Sequence, residues 1–404
     1  MRPRSYFLDT FPRSRRPDYS RQRGEITTDV VVVGGGLTGC ACAGAFAGAG
    51  IKVVLLEAER IGAAATAASA GLLRQSLDAS FQESVSRHGL RTARHLWQSF
   101  RRASLDFSTA LKRAGVRADV MPQDLIVLSR DRDGARLLQR EWSTRRDAGL
   151  DVSWLTPRAV PAETGIPAAG GIRTKGEALD PYRACLGLAA AAASKGAQLF
   201  EQSPARRIRT GRKSVAISTD AGTVTADAVV IATGALPDDL RALRRHFAPM
   251  LSYAAVTQPL PAAVRRETGN RRAAVRDTHV PPHLVRWLKD DRVLVAGGER
   301  PSIGGRAREK LLVPQVHELM YELTTLYPAI SGLQPEWGWD VDSYGSPDSL
   351  PVIGPHRNFP RHLFALGSGQ HGAGVAWLAA RVLLRAYLQE PAKGDEAFGF
   401  ARVL

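Results

Sequence analysis

Three glycines, Gly34, Gly36 and Gly39, stand at the spacing G-x-G-x-x-G directly after the β-branched run 30–33. That pattern suits a phosphate-binding turn. The first glycine permits a tight turn, the second lets backbone approach a pyrophosphate, and the third lets the next helix pack on its strand. The helix N-terminus then presents free N–H groups and the positive end of its dipole to the diphosphate. Glu57 follows at the end of the apolar run 51–56, about twenty residues past the glycines, where a carboxylate accepts hydrogen bonds from ribose hydroxyls. In a chain with 38 glycines a bare fingerprint carries little weight. The strand before it, the helix after it, the second strand and the terminal carboxylate make it a dinucleotide site. Its candidate residues are Gly34, Gly35, Gly36, Leu37, Thr38, Gly39, Glu57 and Ala58. A second Gly-rich stretch at 367–374 contains Gly369, Gln370, His371 and Gly372 and precedes another apolar run. His371 there is suited to tuning a bound group or accepting a proton, and equally to a backbone-bonded turn.

These residues need elements to hold them. Residues 30–33 read as a strand buried on both faces of a parallel sheet. The small apolar run 40–49 continues as the helix, Gly50 fits its C-terminal stop, and 51–56 reads as the second strand. The Ala-rich segment 58–80 is too irregular for one clean helix. Between 81 and 115 the apolar positions, among them Leu96, Trp97, Phe100, Phe107 and Leu111, fit one or two long amphipathic helices. A strand is predicted at 124–129 and a helix ending at Gly149. Pro181 suits the first position of another helix, followed by a strand, a hairpin and a buried strand ending at Thr233 and Gly234. The stretch 251–298 is β-rich, and the last segment reads as strand, Gly-rich turn and closing helix. This order predicts one nucleotide-binding domain assembled from 29–80, 151–240 and 336–404. A second domain is inserted at 81–150 and 241–335, with an N-terminal arm over 1–28 packed on the first strand.

With 404 residues, 44% hydrophobic and 23% charged, the chain can bury a large core and reads as globular rather than disordered. No apolar run reaches membrane-span length. The twin arginine Arg15–Arg16 is followed by polar sequence instead of an export signal's apolar segment. The three cysteines, Cys40, Cys42 and Cys185, form no C-x-x-C pair, which argues against a zinc site or structural disulfides and for a cytoplasmic setting. No metal constellation is expected. The net charge of +16 comes from arginines scattered along the whole chain, without a polybasic block, so no specific nucleic-acid partner is expected.

Several stretches line up with one family: "DVVVVGGGLTG", "AATAASAGLL", "GEALDP", "ADAVVIATGA", "RDTHVPPHLVRWLKDDRVLVAGGE", "GSPDSLPVIGP" and "LFALGSGQHGAG". On these the chain resembles the D-amino acid oxidase / glycine–sarcosine oxidase superfamily of FAD-dependent oxidoreductases, most of all its bacterial gamma-glutamylputrescine oxidase-like members. The resemblance spans nearly the whole chain in the family's order and selects FAD as the dinucleotide. It implies an α/β fold: a Rossmann-like FAD-binding domain of the glutathione reductase type with an inserted α+β substrate domain carrying a mostly antiparallel sheet. The C-terminal Gly-rich turn agrees independently, since a helix N-terminus stabilises the negative charge that develops on a reduced flavin.

The resemblance also implies roles. The glycines hold the FAD pyrophosphate, Glu57 the adenosine ribose, and Thr66 lies beside the diphosphate. Ala205 meets the adenine through its backbone, and Thr233 and Gly234 lie against the cofactor. Arg74 and Arg286 match arginines that clamp a substrate carboxylate, for which a planar guanidinium is suited. The flavin-linking Cys of some members is absent before "SPDSLP", so the FAD is expected to be non-covalent. Gly374 stands where certain members carry a Lys, and Lys289 is the lysine nearest the family's oxygen-activating one. The implied activity is oxidation of a primary or secondary amine, such as an amino acid, by hydride transfer from the α-carbon to flavin N5 followed by imine hydrolysis. Electrons then pass to oxygen or to a quinone or other carrier. Other readings are a 2-hydroxy acid or glycerol-phosphate dehydrogenase, an RNA-modifying flavoprotein, and an electron-transfer subunit.

Overall fold

The computed structural model describes residues 1–77, 79–369 and 372–403, with Asp238 described by its backbone alone. The β-branched run 30–33 lies in the strand Gly24–Val33, and all four valines are buried. Val30 and Val32 enter one core cluster, Val31 and Val33 another on the opposite face. A strand that feeds two cores has no face to spare for polar residues. It pairs in parallel with Val53–Leu56 on one side and Gly222–Ile231 on the other. The strand Gln198–Phe200 extends the sheet beyond the first neighbour, and Phe359–Leu366 pairs in parallel with the second. Val33, Leu56 and Ile231 stand level in register, and Ile231 faces Phe364. The carboxyl ends of these strands therefore open onto one space, which is where open parallel sheets bind ligands.

A second eight-stranded sheet stands beside that opening. Its order runs Pro335–Gly345, Ala248–Thr257, Val293–Pro301, Leu284–Trp287, Ala273–Arg276, Asp124–Ser129, Gly170–Thr174, Ser153–Leu155. All its pairings are antiparallel except that between Ala273–Arg276 and Asp124–Ser129. The fold is the expected one: a mixed α/β chain with a Rossmann-like layer and a mostly antiparallel second sheet. A three-stranded sheet of Leu72–Arg74, Gly176–Ala178 and Met121–Pro122 joins the two.

Helices cover the parallel sheet where the sequence expects them. Leu37–Gly48 packs against Pro181–Ser194 and the closing helix Gly372–Leu388. Asp180 caps Pro181–Ser194 by accepting the Arg183 N–H at 2.9 Å. The long amphipathic stretch is one helix, Phe81–Arg113, opened by a Ser80–Glu83 capping box and kinked at Gly89, whose φ is +75°.

Sheet membership departs from the expected division in two places. The strands Ser153–Leu155 and Gly170–Thr174 lie in 151–240, and Pro335–Gly345 nearly all in 336–404, yet all three pair in the second sheet. Their alternation shows a strand but not its partner, which register alone decides. The first strand begins at Gly24, six residues before the β-branched run, because Gly24 to Thr28 pair with Gly222 to Ala226. The preceding arm shares a core cluster with Val30 and Val32 through Phe7 and reaches on to the second sheet. Arg2 exchanges backbone bonds with Glu336 and Gly338, and the Trp337 Nε1–H donates to Asp9 at 3.0 Å. The helix Gly305–Leu326, which covers the second sheet through Val316, Leu319 and Leu323, has no counterpart in the sequence reading.

Candidate active site

The turn after Val33 is built by close backbone approaches. Gly34 has φ +108°, and a Cβ there would come within 2.5 Å of the Ala232 carbonyl oxygen. A Cβ on Gly39 would sit 1.8 Å from the Gly34 oxygen, so the first helical turn closes directly on the loop. Gly36 differs. Its backbone is ordinary extended chain, and among the described residues the only contact a Cβ there would make is with Thr66 Oγ1 at 3.2 Å. Two glycines thus make room for protein, and the third leaves room for a ligand.

Polar groups line up around that room. The Leu37 N–H, at the start of its helix, donates to Thr66 Oγ1 at 3.0 Å, so Thr66 caps the same N-terminus beside which a diphosphate would lie. Glu57 accepts the Gly35 N–H at 2.6 Å through one carboxylate oxygen and the Glu59 N–H at 2.8 Å through the other. Burial pushes the Glu57 carboxyl up, against the downward pull of those two donors. Its position is therefore fixed by the turn it serves.

A cavity of about 470 Å³ runs from this turn to the second sheet. Gly34, Gly36, Leu37, Thr38, Glu57, Ala58, Thr66 and Ala205 lie on its wall at one end, and Thr233 and Gly234 continue it. Gly369 and Gly372 line it at the start of the closing helix. Gly35 and Gly39 are not on the wall; they shape the turn from behind. Gln370 and His371 lie outside the described residues. The turn, the helix N-terminus and the paired carboxylate fit a dinucleotide, with open space above Gly36 where a pyrophosphate must pass. All three cysteines are buried, and none is on the wall.

The far wall comes from the second sheet and is where sequence reasoning falls short. It includes Tyr253, Leu284, Gly297 and Asp342, from four different strands. Tyr253 stands opposite Gly297 in register, and its ring lies beside Gly298. The β-rich stretch was legible, but not which of its residues face inward. Arg74, buried at the end of Leu72–Arg74 in the small sheet, lines the same cavity. Arg286 does not. Its guanidinium donates to the Ala70 carbonyl, crowds Gly71, and lies over the Phe7 ring at 5.6 Å. Burial lowers its pKa to about 10, against the pull of Asp180. It supports the 70–71 segment from behind, a destination set by residues distant in sequence. Lys289 pairs with Asp119 at 2.6 Å on the surface, away from the wall. Gly374 packs on the long helix: a Cβ there would come within 2.6 Å of Ser104 Oγ and 3.0 Å of the Phe100 ring. A long side chain at this position has no room here.

The comparisons agree with this geometry. The family described as DAO, FAD dependent oxidoreductase, matches residues 29–386. The probable oxidoreductase OrdL of Haemophilus influenzae is 26% identical over 95% of this chain and 88% of its own length. The gamma-glutamylputrescine oxidoreductase of Escherichia coli is 27% identical over 92% of this chain and 86% of its own. Among solved structures, glycine oxidase from Geobacillus kaustophilus superposes with a TM-score of 0.79 at 22% identity, covering 93% of this chain and 98% of that one. Among the described residues, no helix is long and apolar enough to cross a membrane.

Proposed function

The chain belongs to the DAO family of FAD-dependent oxidoreductases, and from that premise we propose that it oxidises a primary or secondary amine bearing a carboxylate, an amino acid in the broad sense. Bound FAD would supply the two-electron acceptor for a hydride from the substrate α-carbon, the remaining iminium being hydrolysed by water with release of the amine. The protein's share is binding and alignment. The glycine turn, the helix N-terminus that Thr66 caps and Glu57 would hold the dinucleotide at one end of the cavity. The sheet wall bearing Leu284 and Gly297 bounds the other end. The α-carbon would then be oriented against the flavin, and fixed orientation of this kind lowers the barrier to hydride transfer.

Arg74 carries this reading: a buried guanidinium on the wall of the cofactor cavity. It is suited to donate two parallel hydrogen bonds to a carboxylate and so to set the α-carbon's position. Arg286 acts one step removed, by holding the Ala70–Gly71 backbone that precedes Arg74. The test is anaerobic bleaching of the bound flavin against amino acids, amines without a carboxylate, 2-hydroxy acids and glycerol phosphate. Bleaching by amino acids in the native protein, lost at low substrate in Arg74→Ala, supports the reading. Bleaching by hydroxy acids alone sinks it. Reoxidation of the bleached protein by oxygen and by a quinone then identifies the acceptor. Retained flavin that no amine bleaches would favour the electron-transfer alternative.

A further inference from the structure

A second cavity, about 240 Å³, opens between the loop 277–283 and the helix Gly305–Leu326. The loop joins Ala273–Arg276 to Leu284–Trp287, and its first residue organises it. Asp277 is buried, and its Oδ1 accepts the backbone N–H groups of His283 at 2.9 Å and His279 at 3.2 Å. Its Oδ2 faces two imidazoles, His283 Nδ1 at 2.8 Å and His279 Nδ1 at 2.9 Å. One carboxylate oxygen and two ring nitrogens thus converge, and candidate ligand atoms of all three residues lie within 4.8 Å of one another. Glu318 and Glu322 line the same cavity. In a chain of net charge +16, this corner gathers three carboxylates around two histidines.

We propose that Asp277, His279 and His283 form a binding site for a divalent cation of the zinc class, with the fourth coordination position open to the cavity. Two imidazoles and a carboxylate are a donor set that zinc accepts. On a tetrahedral ion with bonds of about 2.0–2.1 Å, neighbouring ligand atoms stand roughly 3.3 Å apart. The oxygen–nitrogen distances of 2.8 and 2.9 Å need open by only about half an ångström, within the reach of small side-chain rotations. The Oδ1 bonds to the backbone already fix the carboxylate in orientation, so little freedom remains to be lost on binding. The ion would displace protons from the imidazoles, so its affinity rises with pH. The sequence carries the signal as D-x-H-x-x-x-H, which patterns built on cysteine pairs miss.

The site lies behind the substrate-side wall. Leu284 follows His283 directly and lines the cofactor cavity, as does Gly297, where a Cβ would lie 2.8 Å from the His283 ring. An ion clamped at the loop would stiffen that wall from outside without touching FAD.

The test uses the FAD-loaded protein, stripped with a chelator, dialysed against micromolar zinc and assayed for bound metal by mass spectrometry. One tightly held ion per chain is expected, with proton release on binding. His283→Ala and His279→Gln should each weaken binding at least about tenfold while keeping full flavin content. His317→Ala, an exposed histidine outside the cluster, should bind as the parent does. His279 is largely exposed, so its variant keeps the test valid if core variants misfold. Less than a tenth of an equivalent bound by the parent, or equal binding by the His279 and His283 variants, overturns the proposal.

Discussion

The two ends of the main cavity are built on opposite plans. The dinucleotide end comes chiefly from one local stretch, residues 30–57, in which strand, turn, helix and carboxylate succeed one another. The far end is assembled from Ala248–Thr257, Leu284–Trp287, Val293–Pro301 and Pro335–Gly345, plus Arg74 from a separate small sheet. The first end can be damaged by single atoms, because backbone already fills the space. The second end tolerates more and discriminates more, since its surface is made of side chains. A family can therefore keep one cofactor and vary its substrate.

Substitutions test that contrast, the most damaging first. Gly39→Val should yield no folded flavoprotein, because its Cβ falls 1.8 Å from the Gly34 oxygen and overpacking against backbone cannot relax. Soluble yield and thermal unfolding measure this, and a stable, yellow Gly39→Val protein would falsify the interlock. Gly36→Val should fold yet lose its FAD, since its Cβ meets only Thr66 while its branches enter the pyrophosphate space. Circular dichroism together with flavin absorbance separates those two outcomes. If Gly36→Val instead unfolds, the division between glycines for protein and a glycine for ligand collapses.

At the other end, Arg74→Ala should leave flavin content unchanged and raise KM for a carboxylate substrate by tens- to hundreds-fold. The basis is about 2–4 kcal/mol for a desolvated, charge-assisted contact. Arg74→Lys should recover part of it. Arg286→Ala should act on stability instead, lowering it by about 1–3 kcal/mol through the orphaned Ala70 carbonyl. Arg286→Met, which keeps volume without a buried charge, should fall closer to the parent. A KM effect in Arg286→Ala as large as in Arg74→Ala would show that both arginines reach substrate and that the clamp has two arms. The smallest effect belongs to Glu57→Gln. The amide keeps one acceptor for two N–H donors, so FAD affinity should drop by roughly tenfold or less, as read by equilibrium titration of stripped protein.

What the sequence discloses follows the same divide. The glycine turn, Glu57, the Asp180-capped helix and the hairpin into Gly222–Ile231 are legible because each is specified within a few dozen residues. Ser153–Leu155, Gly170–Thr174 and Pro335–Gly345 are strands whose sheet depends on partners far along the chain. Arg286 shows the limit most clearly. Its strand can be anticipated, but not that its guanidinium ends on a carbonyl at Ala70. The Asp277–His279–His283 grouping depends on a loop whose bends bring three side chains together.

The parallel sheet described above has a consequence for how the protein is made. Gly222–Ile231 is flanked by Gly24–Val33, long since synthesised, and by Phe359–Leu366, which leaves the ribosome more than a hundred residues later. The glycine turn is translated early, while the helix that closes its cavity begins at Gly372. Non-local pairing of this kind is slow and leaves apolar strand edges waiting for partners. During that interval the nascent chain holds half a cofactor site and an unfinished sheet. A flavin that binds only the completed cavity would act as a late lock on the native state by mass action, and flavin scarcity would then leave more chains incompletely folded.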